Sequence, residues 1–324
     1  FNSSKYWIFI PTDNSLRGKR IPFALNPSQI DISLDYGISY HQSELDLINP
    51  DFSGLRWYGP QVQNGSTQII STPTPDGKSE VDCFIELQLK GYSLSGSSST
   101  FHSIDLYANS INGNKIGVTS SWTGNGLRTI AGSIPGSDLN SAGNNFFISN
   151  LSSDNNSSPL IDFLTMRYGR KLVYDNKQIE FFSPVKNASL RFNFYNELSG
   201  NSNIFDISNP KSPKQISIKE KIYIEVITPV DKPGRYIVFN QNDIDSISSF
   251  KYVEQNNFSN LRNYNIRADY IIIGPNTFRD AAMPLINLRK PAIYASLEDI
   301  YQEFSGGNID PMAIRTFVQW TQEN

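Results

Sequence analysis

The sequence predicts a mainly β protein: N-terminal antiparallel β-sandwich domains, followed by the first βαβα part of an α/β domain. Three observations carry this. Short runs of alternating apolar and polar residues, separated by Gly, Asn and Pro turns, recur from about Lys5 to Asn240, as half-buried strands require. The run "YIIIG" (270–274) is unbroken and ends at a Pro, as expected of a strand buried on both faces. Beyond it, apolar residues recur at helical spacing instead of every second position.

The elements follow in order. "KYWIFIP" and "RIPFAL" are strand candidates, and "SGLRWYGP" sets two aromatics beside turn residues. "STPTPDGKSE" (Ser71 to Glu80) is rich in Pro, Gly and Ser and reads as a connector. In "EVDCFIELQLKGYS", Val81, Cys83, Ile85, Leu87 and Leu89 share one face, while Asp82, Glu86, Gln88 and Lys90 share the other. Further strand candidates are "HSIDLYAN", "NKIGVTSSW", "NNFFISN", "DFLTMRYGRKL", "QIEFFSP", "ASLRFNFYN", "NIFDISNP", "KIYIEVITP" and "RYIVFN". Many short strands with regular turns argue for one or two antiparallel sandwiches. After "YIIIG", Phe278, Ala281, Ala282, Leu285 and Leu288 mark a helix that Pro284 should kink or split. "PAIYAS" is the next strand. Ser296 and Asp299 open a short helix in capping-box fashion, and Gly306-Gly307 ends it. Asp310 is the expected N-cap of the last helix, with Pro311 at its first position. The domains expected are 1–75, 76–262 (one sandwich or two sub-domains) and 263–324, the last incomplete. Two parallel strands cannot bury both faces of a sheet, which places the remainder past Asn324.

Composition narrows the function classes. Net charge is −3 over 324 residues, with no basic tract, so nothing pulls the chain toward nucleic acid or an anionic membrane. Cys83 is the single cysteine, which excludes an intrachain disulfide framework. No apolar run reaches the length of a membrane span. No signal peptide is visible ahead of Phe1, so removal by processing or a cut upstream is expected.

The segment "RADYIIIGPNTFRDAAMPLINLRK…SLEDIYQEFSGGNIDPMAIRTFVQW" closely resembles the opening βαβα segment of gingipain-like cysteine peptidases, in the branch that acts as the type IX secretion sortase. The most specific part is Glu298 to Phe317. "NIFDISNPKSPKQI", "VEQNNFSNLRNYNIRADYIII" and "KYWIFI" with "SGLRWYG" resemble segments upstream in the same branch. The sequence departs from that pattern at Lys290, which runs into "PAIYAS" without the longer link. The resemblance implies a caspase-like fold for the last domain, with a catalytic His and Cys on loops after later strands. A thiolate would attack the scissile carbonyl while the imidazole manages the protons. Both residues are expected beyond Asn324, so no catalytic, cofactor-binding or metal residue is assigned within the chain. The implied partners are secreted cargo with C-terminal sorting domains and outer-membrane components of type IX secretion. The implied place is the cell surface or outer membrane. The rival reading is a non-catalytic extracellular adhesion or carbohydrate-binding β-sandwich.

Other residues invite a role and are read structurally. Cys83 lies mid-strand on the apolar face, where a thiol is an inert small hydrophobe. His41 and His102 belong to no catalytic motif, and with one Cys they make no zinc pattern. The turn "DIDSIS" (Asp243 to Ser248) offers oxygens for a structural calcium but lacks EF-hand spacing. Ser305 to Gly307 follows a helix and reads as its C-cap, not as a phosphate loop. Trp57, Tyr58 and Trp122 could stack a sugar if exposed together, but sandwich core is the expectation.

Overall fold

The computed structural model describes residues 20–52, 54–175, 177–244, 260–263 and 265–324. They fall into a large β unit, ending at about residue 245, and a small α/β unit after it. The strand candidate "KYWIFIP" lies outside the described residues.

The strands of the β unit begin with β1 (Ile32–Leu34), β2 (Tyr36–Glu44), β3 (Thr67–Thr72), β4 (Cys83–Lys90) and β5 (Phe101–Ala108). They continue with β6 (Asn114–Lys115), β7 (Ser120–Thr123), β8 (Leu127–Ile134), β9 (Asn144–Asn150), β10 (Leu160–Lys171) and β11 (Ile179–Phe182). The last are β12 (Ser189–Asn193), β13 (Ser202–Asp206), β14 (Lys214–Gln215), β15 (Tyr223–Ile227) and β16 (Arg235–Asn240). Eight of them form one sheet in the order β14-β13-β16-β11-β2-β10-β4-β8. A second sheet runs β3-β9-β5-β6, with β7 also on β5, and a third runs β1-β12-β15.

Register shows how these sheets stack. Leu164 of β10 pairs with Leu87 of β4 and Ser43 of β2, so the odd-numbered side chains of β2, Gly37 included, share the apolar face of β4. Phe182 of β11 pairs with Ile38, which turns Phe181 onto that same face, because neighbouring residues alternate sides. The two smaller sheets therefore cover two halves of one face. The first half buries Ile85, Leu87, Leu89, Leu164 and Met166 with Leu106, Phe146 and Ile148. The second buries Ile179, Phe181, Ile204, Tyr236 and Val238 with Leu190, Phe192, Ile224 and Val226. Phe181, Phe192 and Tyr236 pack ring on ring there, with centroids 5.0–5.8 Å apart. Each buried aliphatic or aromatic side chain contributes about 1.5–3 kcal/mol relative to exposure.

Several sequence expectations differ from this. The connector 71–80 does not separate sheets, since β2 before it and β4 after it both flank β10. "RIPFAL" forms no strand and makes one isolated bridge, Phe23 to Gln215. "NKIGVTSSW" is not one strand but β6 and β7, broken at Gly117. That glycine has φ +65°, and a Cβ there would lie 2.6 Å from the Ala131 carbonyl oxygen. "LRTIAGSI", which carries no turn-free alternation, nonetheless forms β8, held by β4.

In the α/β unit, β17 (Tyr270–Gly274) and β18 (Ala292–Ser296) pair in parallel. Helix α1 (Arg279–Leu288) connects them, and α2 (Leu297–Phe304) and α3 (Pro311–Glu323) follow. Helix α1 continues through Pro284, giving up the one backbone donor that proline lacks. The caps fall where the sequence sets them. Ser296 Oγ accepts the Asp299 N–H at 3.1 Å and Asp310 Oδ1 accepts the Met312 N–H at 2.8 Å. Gly306 and Gly307 adopt φ of +63° and +85°, and the Gly307 N–H returns to the Tyr301 carbonyl, a glycine C-cap. Ala295, Ile300, Ala313 and Phe317 form the small core.

Candidate functional site

Parallel α/β sheets place their chemistry at the carboxyl ends of the strands, so the ends of β17 and β18 are the first place to look. The chain turns sharply after Gly274, and the Asn276 N–H donates to Glu298 Oε2 at 2.9 Å. Tyr294 Oη donates to the Pro275 carbonyl at 2.7 Å. Arg279 lies over the Tyr294 ring, 5.1 Å from its centre, and bonds Asn276 Oδ1 (3.1 Å) and Asp299 Oδ2 (3.4 Å). This network braces two strand ends against two helix starts. It holds no Cys or His, since the chain's three such residues, His41, Cys83 and His102, all lie in the β unit. Beside it, α1 leaves Leu285 40% and Leu288 78% exposed, so the side that carries them is uncovered.

The residues singled out in the β unit are not brought together as a site. Cys83 is fully buried, and burial pushes its thiol up to about 12. It therefore stays a thiol at neutral pH and is a poor nucleophile. His41 is part-buried on β2, paired with Met166. His102 is buried on β5, its Nδ1 2.8 Å from Ser157 Oγ and its ring 4.9 Å from Trp122. Ser157 is equally buried and is further held by Asn150 Nδ2 at 3.1 Å, so no substrate reaches this pair. Tyr58 and Trp122 are core residues at 4% and 6% exposure, while Trp57 is 43% exposed, so no three-ring platform forms. Of the acidic turn 243–248, Asp243 and Ile244 are described and the rest lies outside the described residues. Among the described residues, no helix is long and apolar enough to cross a membrane.

A second locus was not visible in the sequence. Strands β2 and β11 pair only at Phe182 and Ile38, and a cleft of about 470 Å³ opens there. Its walls are Ser39 and Tyr40 of β2, Arg170 of β10, Gln178 and Glu180, Phe182 and Arg235. Arg235 Nε donates to Glu180 Oε1 at 2.6 Å, and its guanidinium lies 5.6 Å from the Phe182 ring centre. Arg170 Nη2 donates to Asp76 Oδ2 at 3.1 Å, and its Nε is buried without a hydrogen-bond partner. These residues come from four strands and a turn, with no shared spacing that a linear reading could find.

Comparison with known proteins bears on the whole chain. Residues 263–324 match the family model described as Peptidase family C25. The fold resembles that in the crystal structure of dimeric latent PorU from Porphyromonas gingivalis, with TM-score 0.72 and 17% identity, covering 94% of this chain and 30% of that one. The chain thus spans about a third of that protein's length. The CBM36-1 domain of a xylanase from the hindgut metagenome of Trinervitermes trinervoides aligns with TM-score 0.25 and 15% identity, covering 40% of this chain and 95% of that one. A family 35 carbohydrate binding module from Clostridium thermocellum aligns with TM-score 0.25 and 13% identity, covering 40% and 90%. Scores that low carry no argument. No curated protein matches the sequence significantly. The resemblance read from Glu298 to Phe317 is thereby supported by an independent family match, and the PorU likeness bears out the mainly β fold.

Proposed function

We propose that this chain is the front part of a gingipain-like cysteine endopeptidase, the sortase that removes C-terminal sorting domains from type IX secreted cargo. The observation that carries the reading is the family match over residues 263–324, joined to a fold likeness with PorU that runs through nearly the whole chain. In this reading residues 263–324 begin the caspase-like domain. The braced strand ends at Gly274 and Ser296 then form its floor, and the uncovered side of α1 receives its remaining elements. The nucleophilic Cys and its His partner lie beyond Asn324, and the chain by itself is inactive. The parent enzyme works at the cell surface or outer membrane, on cargo delivered by the secretion machinery.

The test is to read the gene downstream of Asn324, express the whole product and incubate it with a reporter that ends in a sorting domain. The expected result is a downstream His and Cys, and reporter cleavage that a Cys→Ala change abolishes. A downstream sequence without the pair, or an intact reporter with well-folded enzyme, would overturn the reading.

A further inference from the structure

We propose that the cleft between β2 and β11 is a binding site for a neutral, hydroxyl-rich saccharide, independent of any peptidase chemistry. Its volume of about 470 Å³ falls in the range of small-ligand sites, roughly 300–1,000 Å³.

Charge excludes several ligand classes. The two arginines are each already paired, Arg235 with Glu180 at 2.6 Å and Arg170 with Asp76 at 3.1 Å. Their charges therefore cancel locally, and a phosphate or polyanion entering the cleft would meet the Glu180 carboxylate as well. A cationic ligand would meet both guanidinium groups. An apolar ligand would strand Arg170, Gln178, Glu180 and Arg235, and each polar group desolvated without a partner costs about 1–3 kcal/mol.

What remains is a neutral ligand that both donates and accepts many hydrogen bonds. A sugar hydroxyl does both. The planar ends of Arg235, Gln178 and Glu180 each offer paired atoms that can bridge two adjacent hydroxyls. Tyr40, 47% exposed, supplies a ring against which the C–H face of a sugar packs.

The site is also held in advance. Arg235 is fixed between Glu180 and the Phe182 ring, and Arg170 by Asp76. Little side-chain freedom is then lost on binding. An extended peptide could use the splayed strand edges instead, but it would leave the paired planar groups without their matching diols.

The experiment probes the 324-residue chain with an array of neutral and uronic-acid oligosaccharides, followed by calorimetric titration of the best neutral one and of an acidic heptapeptide. The expected result is saturable binding of the neutral oligosaccharide. Tyr40→Ala should weaken it about tenfold, the order expected for a lost ring contact, and Glu180→Gln should weaken it too, with unchanged urea midpoints. Tyr40 lies outside the core, so its variant remains a fair test even where a change at Arg235 disturbs folding. Absence of saturable neutral-sugar binding would overturn the proposal. So would equal binding by both variants and wild type, or saturation by the peptide or uronic-acid probes alone.

Discussion

Acidification should destabilise the β unit through one histidine. His102 is fully buried, with Nδ1 on Ser157 Oγ and the ring against Trp122. Burial lowers its pKa below the usual histidine value, outweighing the opposing pull of the Gly124 backbone and of Asp154, the charged group beside it. The folded state thus binds the proton less readily than the unfolded chain does, so stability is full above the unfolded pKa and falls as pH drops toward the folded one. With an unfolded pKa of about 6.5, moving from pH 7.5 to 5.5 changes the unfolded-state proton term by RT ln(11/1.1), about 1.4 kcal/mol, and this is the ceiling on what a lowered folded pKa can cost over that window. Urea titrations at the two pH values, for wild type, His102→Gln and His41→Gln, measure it. The wild type and the His41 variant should both lose stability on acidification, by up to this amount, and the His102 variant should lose measurably less. An equal loss in all three would refute the assignment to His102 and point to a spread of weaker titrations.

Two further outcomes follow from packing and burial. Gly37→Ala should destabilise the β unit by about 1–3 kcal/mol as overpacking, because a Cβ there would sit 2.8 Å from Cβ and Cγ of buried Phe181. Phe181→Leu should recover part of that loss in a double-mutant cycle, and strict additivity of the two changes would sink the explanation. Cys83 should resist a neutral aromatic disulfide reagent in the native chain and react stoichiometrically in 6 M urea. Fast native labelling would contradict its burial and raised pKa.

Local signals were enough to place most elements, and long-range pairing decided the rest. Ser296, Gly306, Gly307 and Asp310 each act within one helical turn, so their roles were readable without a fold. The alternation of Cys83, Ile85, Leu87 and Leu89 gave β4 its face for the same reason. "LRTIAGSI" was unreadable because β8 owes its strand geometry to pairing with β4, and β-propensity is largely context. "RIPFAL" failed in the opposite direction, since its apolar residues find one bridge and no sheet. The domain connector misled because Pro, Gly and Ser mark a turn, and a turn does not say whether its flanking strands join one sheet. That residues 263–324 carry no Cys or His is legible from the sequence alone, since it needs only the positions of His41, Cys83 and His102. The cleft residues were not, because their meeting depends on the order of four strands.

The cleft and the glycine have one cause. Strands in a sheet rotate by about 20–25° from neighbour to neighbour, so eight strands in one sheet accumulate a twist that no single flat cover can follow. The β unit meets this with two small sheets on one face, each matched to its own half. Between the halves, β2 must serve both. It pairs along its length with β10 but with β11 at one position, so β2 and β11 separate beyond it. On the apolar side, the seam is closed by laying Phe181 over Gly37, which only a residue without a side chain allows. Around the split, strand ends that no cover reaches carry charged and polar groups, which would be costly inside either core. In this chain the seam leaves a polar opening braced by the Arg235–Glu180 and Arg170–Asp76 pairs. The order of strands β11, β2 and β10, and not any motif in the chain, determines which side chains line it.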